Sequence, residues 1–234
     1  MASIGTTDFY IGVPSLPCEE FEEYSTQLFD EWESHVEQVL KLPDYSLALE
    51  VEEGSIKAVG KITATLGVLY IAIGQYGSFI SGLQTINNQV RSAGNYLGVR
   101  ASAPFESSNA KPKIRKRGES LARLQSLFDK VQRGDITVDQ AMTESRIIFG
   151  SEAEEAPEFM NELKNSLENA PLYPQQIHLP LVDTDGEELI SEGKKQSKPR
   201  TPQPRVPPPI PDQYRVEVWR ENKKGKRNVR VTSL

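Results

Sequence analysis

The chain has 234 residues, 37% of them hydrophobic and 26% charged, with a formal net charge of -6; that length suffices for one large domain with a sizeable core. A single cysteine, Cys18, and two histidines, His35 and His178, exclude an internal disulfide and leave too few ligands for a Cys/His zinc cluster. The opening residues, MASIGTTDFYIG, lack the basic flank and apolar run of a secretory signal, so cytoplasmic residence is the expectation.

Charge is unevenly distributed. Residues 1–60 carry thirteen Asp or Glu against Lys41 and Lys57, whereas residues 194–234 carry twelve Lys or Arg against Asp212, Glu217 and Glu221. Such a gradient points first to attraction between head and tail, within a chain or between copies. Its second meaning is a tail that binds nucleic acid or anionic lipid.

The first strong element is PCEEFEEYSTQLFDEWESHVEQVLKL. Phe21, Tyr24, Leu28, Trp32, Val36, Val39 and Leu40 recur at spacings of three and four with acids between them, which predicts an amphipathic helix. Ser15 is placed to cap it, Pro17 suits its first turn and Pro43 stops it. Next, Tyr45, Leu47, Leu49 and Val51 alternate with Ser46, Ala48 and Glu50 in the period of a half-buried strand. EEGS turns the chain, with Ser55 placed to cap the next element.

From Val59 the apolar residues Ile62, Leu66, Leu69, Ile73, Tyr76, Ile80, Leu83, Val90 and Leu97 fall on heptad spacing, and Ile62 to Ile86 holds no charged residue. One long helix over 56–97 is the expectation. Gly60, Gly67, Gly74 and Ser81 recur every seven residues beside that seam, and small residues in register let another backbone approach. The predicted assembly interface is therefore Gly67, Gly74 and Ser81 in a groove, with Leu69, Ile73, Tyr76, Ile80 and Leu83 along a seam. As a membrane span the stretch falls near or just below the usual hydropathy level, and its heptad runs on into the polar NNQVRSAGNYL.

ASAPFESSNAKPKIRKRGE reads as a basic linker; Lys113, Arg115, Lys116 and Arg117 offer anion contacts, but no aromatic residue lies within the run for base stacking. ESLARLQSLFDKVQRG predicts a helix ending at Gly134. ITVDQAMTESRIIFG restarts on a capping box of Thr137 and Gln140, and APEFMNELKNSLENAP starts once more with Pro157 in its first turn. The second of these helices carries Asp139 and Glu144 against Arg146, which argues against a groove-reading helix-turn-helix.

QIHLPLVDTDGEELISEG reads as a hairpin around DTDG, then comes a proline-rich basic linker, and YRVEVWRENKKGKRNVRV reads as a second hairpin around KKGK. Val216 and Val218 against Val229 and Val231 are too little apolar surface for that hairpin to stand alone. Lys223, Lys224, Lys226 and Arg227 form its anion-binding candidate.

The expected fold is mainly α within the α+β class, with a long central glycine-containing helix, amphipathic helices and a small C-terminal β-hairpin module. Its parts are an acidic helix, strand and long helix (1–100), a basic linker (101–118), a helical segment (119–171), a hairpin (172–193), a Pro-rich linker (194–213) and a basic hairpin (214–234). No phosphate loop, dinucleotide fingerprint or nucleophile elbow is present, none of the motifs is specific to a family, and neither cofactor nor metal is expected.

The functional expectation is a non-enzymatic scaffold subunit that forms homo-oligomers through the long helix and docks its tethered hairpin on a protein partner. Alternatives are a membrane-inserting effector using helix 56–97, and a metal-dependent nuclease assembled from Asp183, Asp185, Glu217, Glu221 and Lys223.

Overall fold

The computed structural model describes residues 1–12, 16–54, 56–108, 113–117, 119–173 and 213–234. Among them the backbone forms a six-stranded antiparallel sheet and seven α-helices. The strands are β1 (Ala2–Ile11), β2 (Ser46–Glu52), β3 (Ile56–Ala64), β4 (Lys113–Arg117), β5 (Tyr214–Arg220) and β6 (Asn228–Ser233), in the order β4-β1-β3-β2-β5-β6. The helices are α1 (Cys18–Val39), α2 (Leu66–Ile73), α3 (Phe79–Ser102), α4 (Glu119–Arg133), α5 (Val138–Phe149), α6 (Glu152–Glu155) and α7 (Pro157–Glu168).

A mainly α chain built on one long helix is therefore not what forms; the protein is α+β, and its sheet is as central as its helices. The stretch read as helix 56–97 is three elements. Ile56, Ala58, Gly60, Ile62 and Ala64 are buried and alternate with Lys57, Val59, Lys61 and Thr63, the period of a strand. Thr65 then caps α2, its hydroxyl accepting from the Val68 amide at 3.4 Å.

Helix α2 lasts eight residues before a 3-10 turn at Gly74–Tyr76 and Gly77, whose φ of +77° is a left-handed conformation that glycine adopts without a steric penalty. Ser78 caps α3, accepting from the Ser81 amide, and the two helices meet at 110°. The corner packs tightly because α3 has Gly82 there: a Cβ on it would lie 2.7 Å from the Ile73 carbonyl oxygen.

Strand β1 is an element with no counterpart in the expected fold. Its register shifts between Ser3 and Gly5, so Ile4 before the shift and Phe9 and Ile11 after it are all buried although their sequence parity differs. The segment read as a basic linker supplies β4, which pairs with β1 from Thr6↔Arg117 to Tyr10↔Lys113. The C-terminal hairpin is likewise no tethered module. Strand β5 pairs with β2 from Leu47↔Arg220 to Glu52↔Arg215, burying Val216 and Val218 completely, at about 1.5 kcal/mol or more for each side chain. The hairpin and linker expected within 174–212 lie outside the described residues.

Helices α1, α3 and α4 cover one face of the sheet. The Trp32 indole donates to the Ala93 carbonyl at 3.2 Å and the Tyr24 hydroxyl to the Ala101 carbonyl at 2.9 Å, joining α1 to α3. Leu28, Phe29, Trp32 and Val36 meet Leu47, Leu49, Ile62 and Leu97 in one continuous core. Beyond α4, the helices α5 to α7 close around Phe79, Phe128, Phe149 and Phe159, with ring centroids 5.4 to 6.0 Å apart. The capping box is formed: Thr137 accepts from the Gln140 amide, and the Gln140 side chain accepts from the Thr137 amide at 2.9 Å.

Candidate functional site

Among the described residues helices cover one side of the sheet only, leaving the other side open, and strand alternation fixes what that side presents. Three cross-strand rows are set by the register. The first runs Lys113, Tyr10, Lys57, Glu52, Arg215, Thr232; the second Arg115, Asp8, Val59, Glu50, Glu217, Arg230; the third Arg117, Thr6, Lys61, Ala48, Trp219, Asn228. The face thus carries seven cations and four acids.

The acids are paired. Asp8 meets Arg117 at 2.9 Å, Glu50 meets Arg215 at 3.2 Å, Glu52 also bonds Arg215, and Glu217 lies 3.8 Å from Arg230. The bond from Glu52 raises the Arg215 guanidinium further above its ordinary value, so that charge is permanent. Among the described residues, no carboxylate lies within salt-bridge distance of Lys57, Lys61, Lys113 or Arg115. Lys57, Lys113 and Arg115 rim a trough of about 570 Å³ whose walls also include Tyr10, Val59 and the acids Asp8, Glu50 and Glu52, and Lys61 lies beyond it on the same face. Tyr10 is 39% exposed and stands directly between Lys113 on one neighbouring strand and Lys57 on the other. Across the sheet, the Arg230 guanidinium sits 5.6 Å from the Trp219 ring.

Of the anion-binding residues read from sequence, Lys113 and Arg115 line this trough, and Arg117 shares the face but is bonded to Asp8. Lys116 lies on the helix side, with its Cδ beside Gly94. Lys223, Lys224, Lys226 and Arg227 are at the β5–β6 turn, near the opposite edge of the sheet from β4. There Lys223 donates to the Leu42 carbonyl and lies 5.6 Å from the Tyr45 ring, while Arg227 bonds Asp30 of α1. The two basic clusters are therefore separate, and the second is partly neutralised by the acidic helix. Tyr10, Lys57, Lys61 and Trp219 are the site residues that sequence reading missed; the alternation of Lys57 and Lys61 with buried Ile56, Ala58 and Ile62 is the signal that finds two of them.

The expected assembly residues divide between core and surface. Leu69, Ile73 and Leu83 are buried in the chain's own core, and Tyr76 and Ile80 are half-buried against it. Gly67, Gly74 and Ser81 are exposed, and a Cβ on either glycine would meet nothing within 4 Å. Gly67, Tyr70, Ile71 and Gly74 form an exposed, uncharged face of α2. Among the described residues no single helix is long and apolar enough to cross a membrane; α2 with α3 passes on length and composition only as a pair bent by 110°.

The nuclease residues do not gather. Asp183 and Asp185 lie outside the described residues, Glu217 pairs with Arg230 on the open face, and Lys223 turns toward Leu42. Among the described residues no group of three His, Cys, Asp or Glu side chains is arranged to hold a metal. Cys18 and His35 sit on one helix about 25 Å apart along its axis, too far to act together. His35 is stacked on Tyr96 with centroids 4.0 Å apart. Comparison with protein-family models, curated proteins and solved structures finds no match for this chain.

Proposed function

We propose that the protein is a non-enzymatic binding protein that takes up a polyanionic partner on the open face of its sheet. One observation carries the reading: the acids of that face are bonded to Arg117, Arg215 and Arg230, while among the described residues Lys57, Lys113 and Arg115, around a trough of about 570 Å³, and Lys61 beside it form no salt bridge. Cations held side by side on a rigid sheet attract a partner with repeated negative charge and lose little conformational freedom on binding it. Retention on immobilised heparin tests the reading. The Lys113→Glu, Arg115→Glu variant should elute at clearly lower salt than the wild type, and Lys224→Glu, Lys226→Glu much less so. Equal elution of wild type and the β4 variant removes the open face as the binding surface.

A second reading, self-association, is favoured by the exposed face of α2, where Tyr70 is 39% and Ile71 59% exposed with no charge between them. It predicts a mass above one chain by light scattering that falls in Ile71→Glu. A single-chain mass for the wild type at high concentration rules it out.

A further inference from the structure

We propose that the polyanion held on the open face is a single-stranded nucleic acid, with one base stacked on Tyr10 and the flanking phosphates on Lys57, Lys113 and Arg115. The proposal rests on the reading of that face as an anion-binding surface and adds the chemistry of the occupant.

The basic run of β4 has no aromatic residue within it, which argues against nucleic acid when it is considered as a linker. Pairing with β1 reverses that argument, because it sets the exposed Tyr10 ring directly opposite Lys113, and β3 sets Lys57 opposite its other side. The two lysines are then about 10 Å apart across the ring, two strand spacings. An aromatic platform between two cations is what an unpaired nucleotide engages: every base has a π-face, and each carries a phosphate on either side. A duplex turns its bases inward and gives Tyr10 nothing to stack on. A flat anionic membrane would press the paired acids Asp8, Glu50, Glu52 and Glu217 against its own charge, whereas a flexible strand can follow the cations past them.

The path across the sheet has a second aromatic. Trp219 shares the face with Tyr10 and lies three strands across and two rows along, about 20 Å away, with Lys61 in its own row and the Arg230 guanidinium beside its ring. A strand of a few nucleotides reaches from one ring to the other. Engagement of Lys57, Lys61, Lys113 and Arg115 with four phosphates predicts a slope of log K against log salt of about -3.

The test measures fluorescence anisotropy of a fluorescein-labelled fifteen-nucleotide oligo(dT), with labelled heparin as a polyanion that has no bases and a labelled duplex of equal length. The expected result is saturable binding of oligo(dT), tighter than of the duplex and weakened about tenfold by Tyr10→Ala. Tyr10→Phe should restore that binding, Lys113→Glu with Arg115→Glu should abolish it, and heparin binding should be indifferent to Tyr10→Ala. Matching thermal melts of the variants exclude unfolding as the cause. If heparin and oligo(dT) bind alike and Tyr10→Ala changes neither, the inference falls while the anion-binding reading stands. If neither polymer binds, or if only Lys224→Glu with Lys226→Glu weakens binding, both fall.

Discussion

The guanidinium of Arg220 lies 5.7 Å from the centroid of the Tyr45 ring, buried at the end of β5, and reaches Glu33 and, at 3.1 Å, Glu37 on the acidic face of α1. Burial pushes the Tyr45 phenol up to about 12, so the ring stays neutral and its face is available to the cation. This contact is where the acidic head of the chain meets its basic tail. Removing the cation leaves two acids facing one another, and Arg220→Ala should cost about 2–4 kcal/mol in urea unfolding. That is near the cost of breaking a buried pair and is moderated because Glu37 reaches water. The exposed pair of Arg227 and Asp30 is the control, and Arg227→Ala should cost under about 1 kcal/mol. Equal losses would show that Arg220 contributes only as a surface charge.

Glycines on α2 and α3 should respond to substitution with opposite signs. A Cβ on Gly82 meets the backbone of Ile73 at 2.7 and 2.9 Å, which cannot yield without moving α2, so Gly82→Ala should lower stability by about 1–3 kcal/mol. Gly67 has open space around its Cα, and Gly67→Ala should raise stability by roughly 0.5 kcal/mol through helix propensity. Thermal melts of the two variants check both signs at once.

Stability should fall on mild acidification because of His35. Burial against Tyr96 holds its imidazole below the ordinary value of 6.5, so the folded state prefers the neutral ring. The contribution is fully present above pH 6.5 and is lost as pH falls through the lowered folded value. Glu33, raised by burial above its ordinary carboxylate value, acts in the opposite sense as it takes up a proton. Replacing His35 with Phe keeps an aromatic against Tyr96 and removes the titration. Its melting temperature should decline less than that of the wild type between pH 7 and pH 5.5, and parallel declines would assign the effect to other groups.

The capping box at the start of α5 gives a local test. Thr137→Ala removes the side chain that accepts from the Gln140 amide and should cost about 1 kcal/mol, whereas Thr137→Ser should cost much less. Chemical denaturation separates the two.

Where the signal is local, sequence reading finds the element. The stripe of Phe21, Leu28, Trp32 and Val36, the alternation of Leu47, Leu49 and Val51, the Thr137–Gln140 cap and the hairpin around KKGK all rest on neighbours a few residues apart. Strand β1 escapes because the shift between Ser3 and Gly5 breaks its alternation. Strand β3 escapes because Ile62, Leu66 and Leu69 fit a heptad as well as a strand followed by a helix, and Lys57 and Lys61 are what separate the two. That small residues mark close backbone approach is sound in kind but holds at other positions: Gly82 makes that approach within the chain, while Gly67 and Gly74 face open space. Of the candidate site only the cations of β4 are read from sequence, since Tyr10, Lys57, Lys113 and Trp219 become neighbours on one face only through pairing of strands distant in sequence.

The pairing of β2 with β5 also sets a clock on biosynthesis. Residues 46–52 emerge from a ribosome long before residues 214–220, and at 5–20 residues per second the interval is about 10–30 s. Through that time β2 has an open hydrogen-bonding edge with Leu47, Leu49 and Val51 behind it, the kind of surface that nascent chains pair with one another. Slowing translation should therefore lower the soluble yield of this protein, and supplying residues 213–234 as a separate peptide during synthesis should recover part of it.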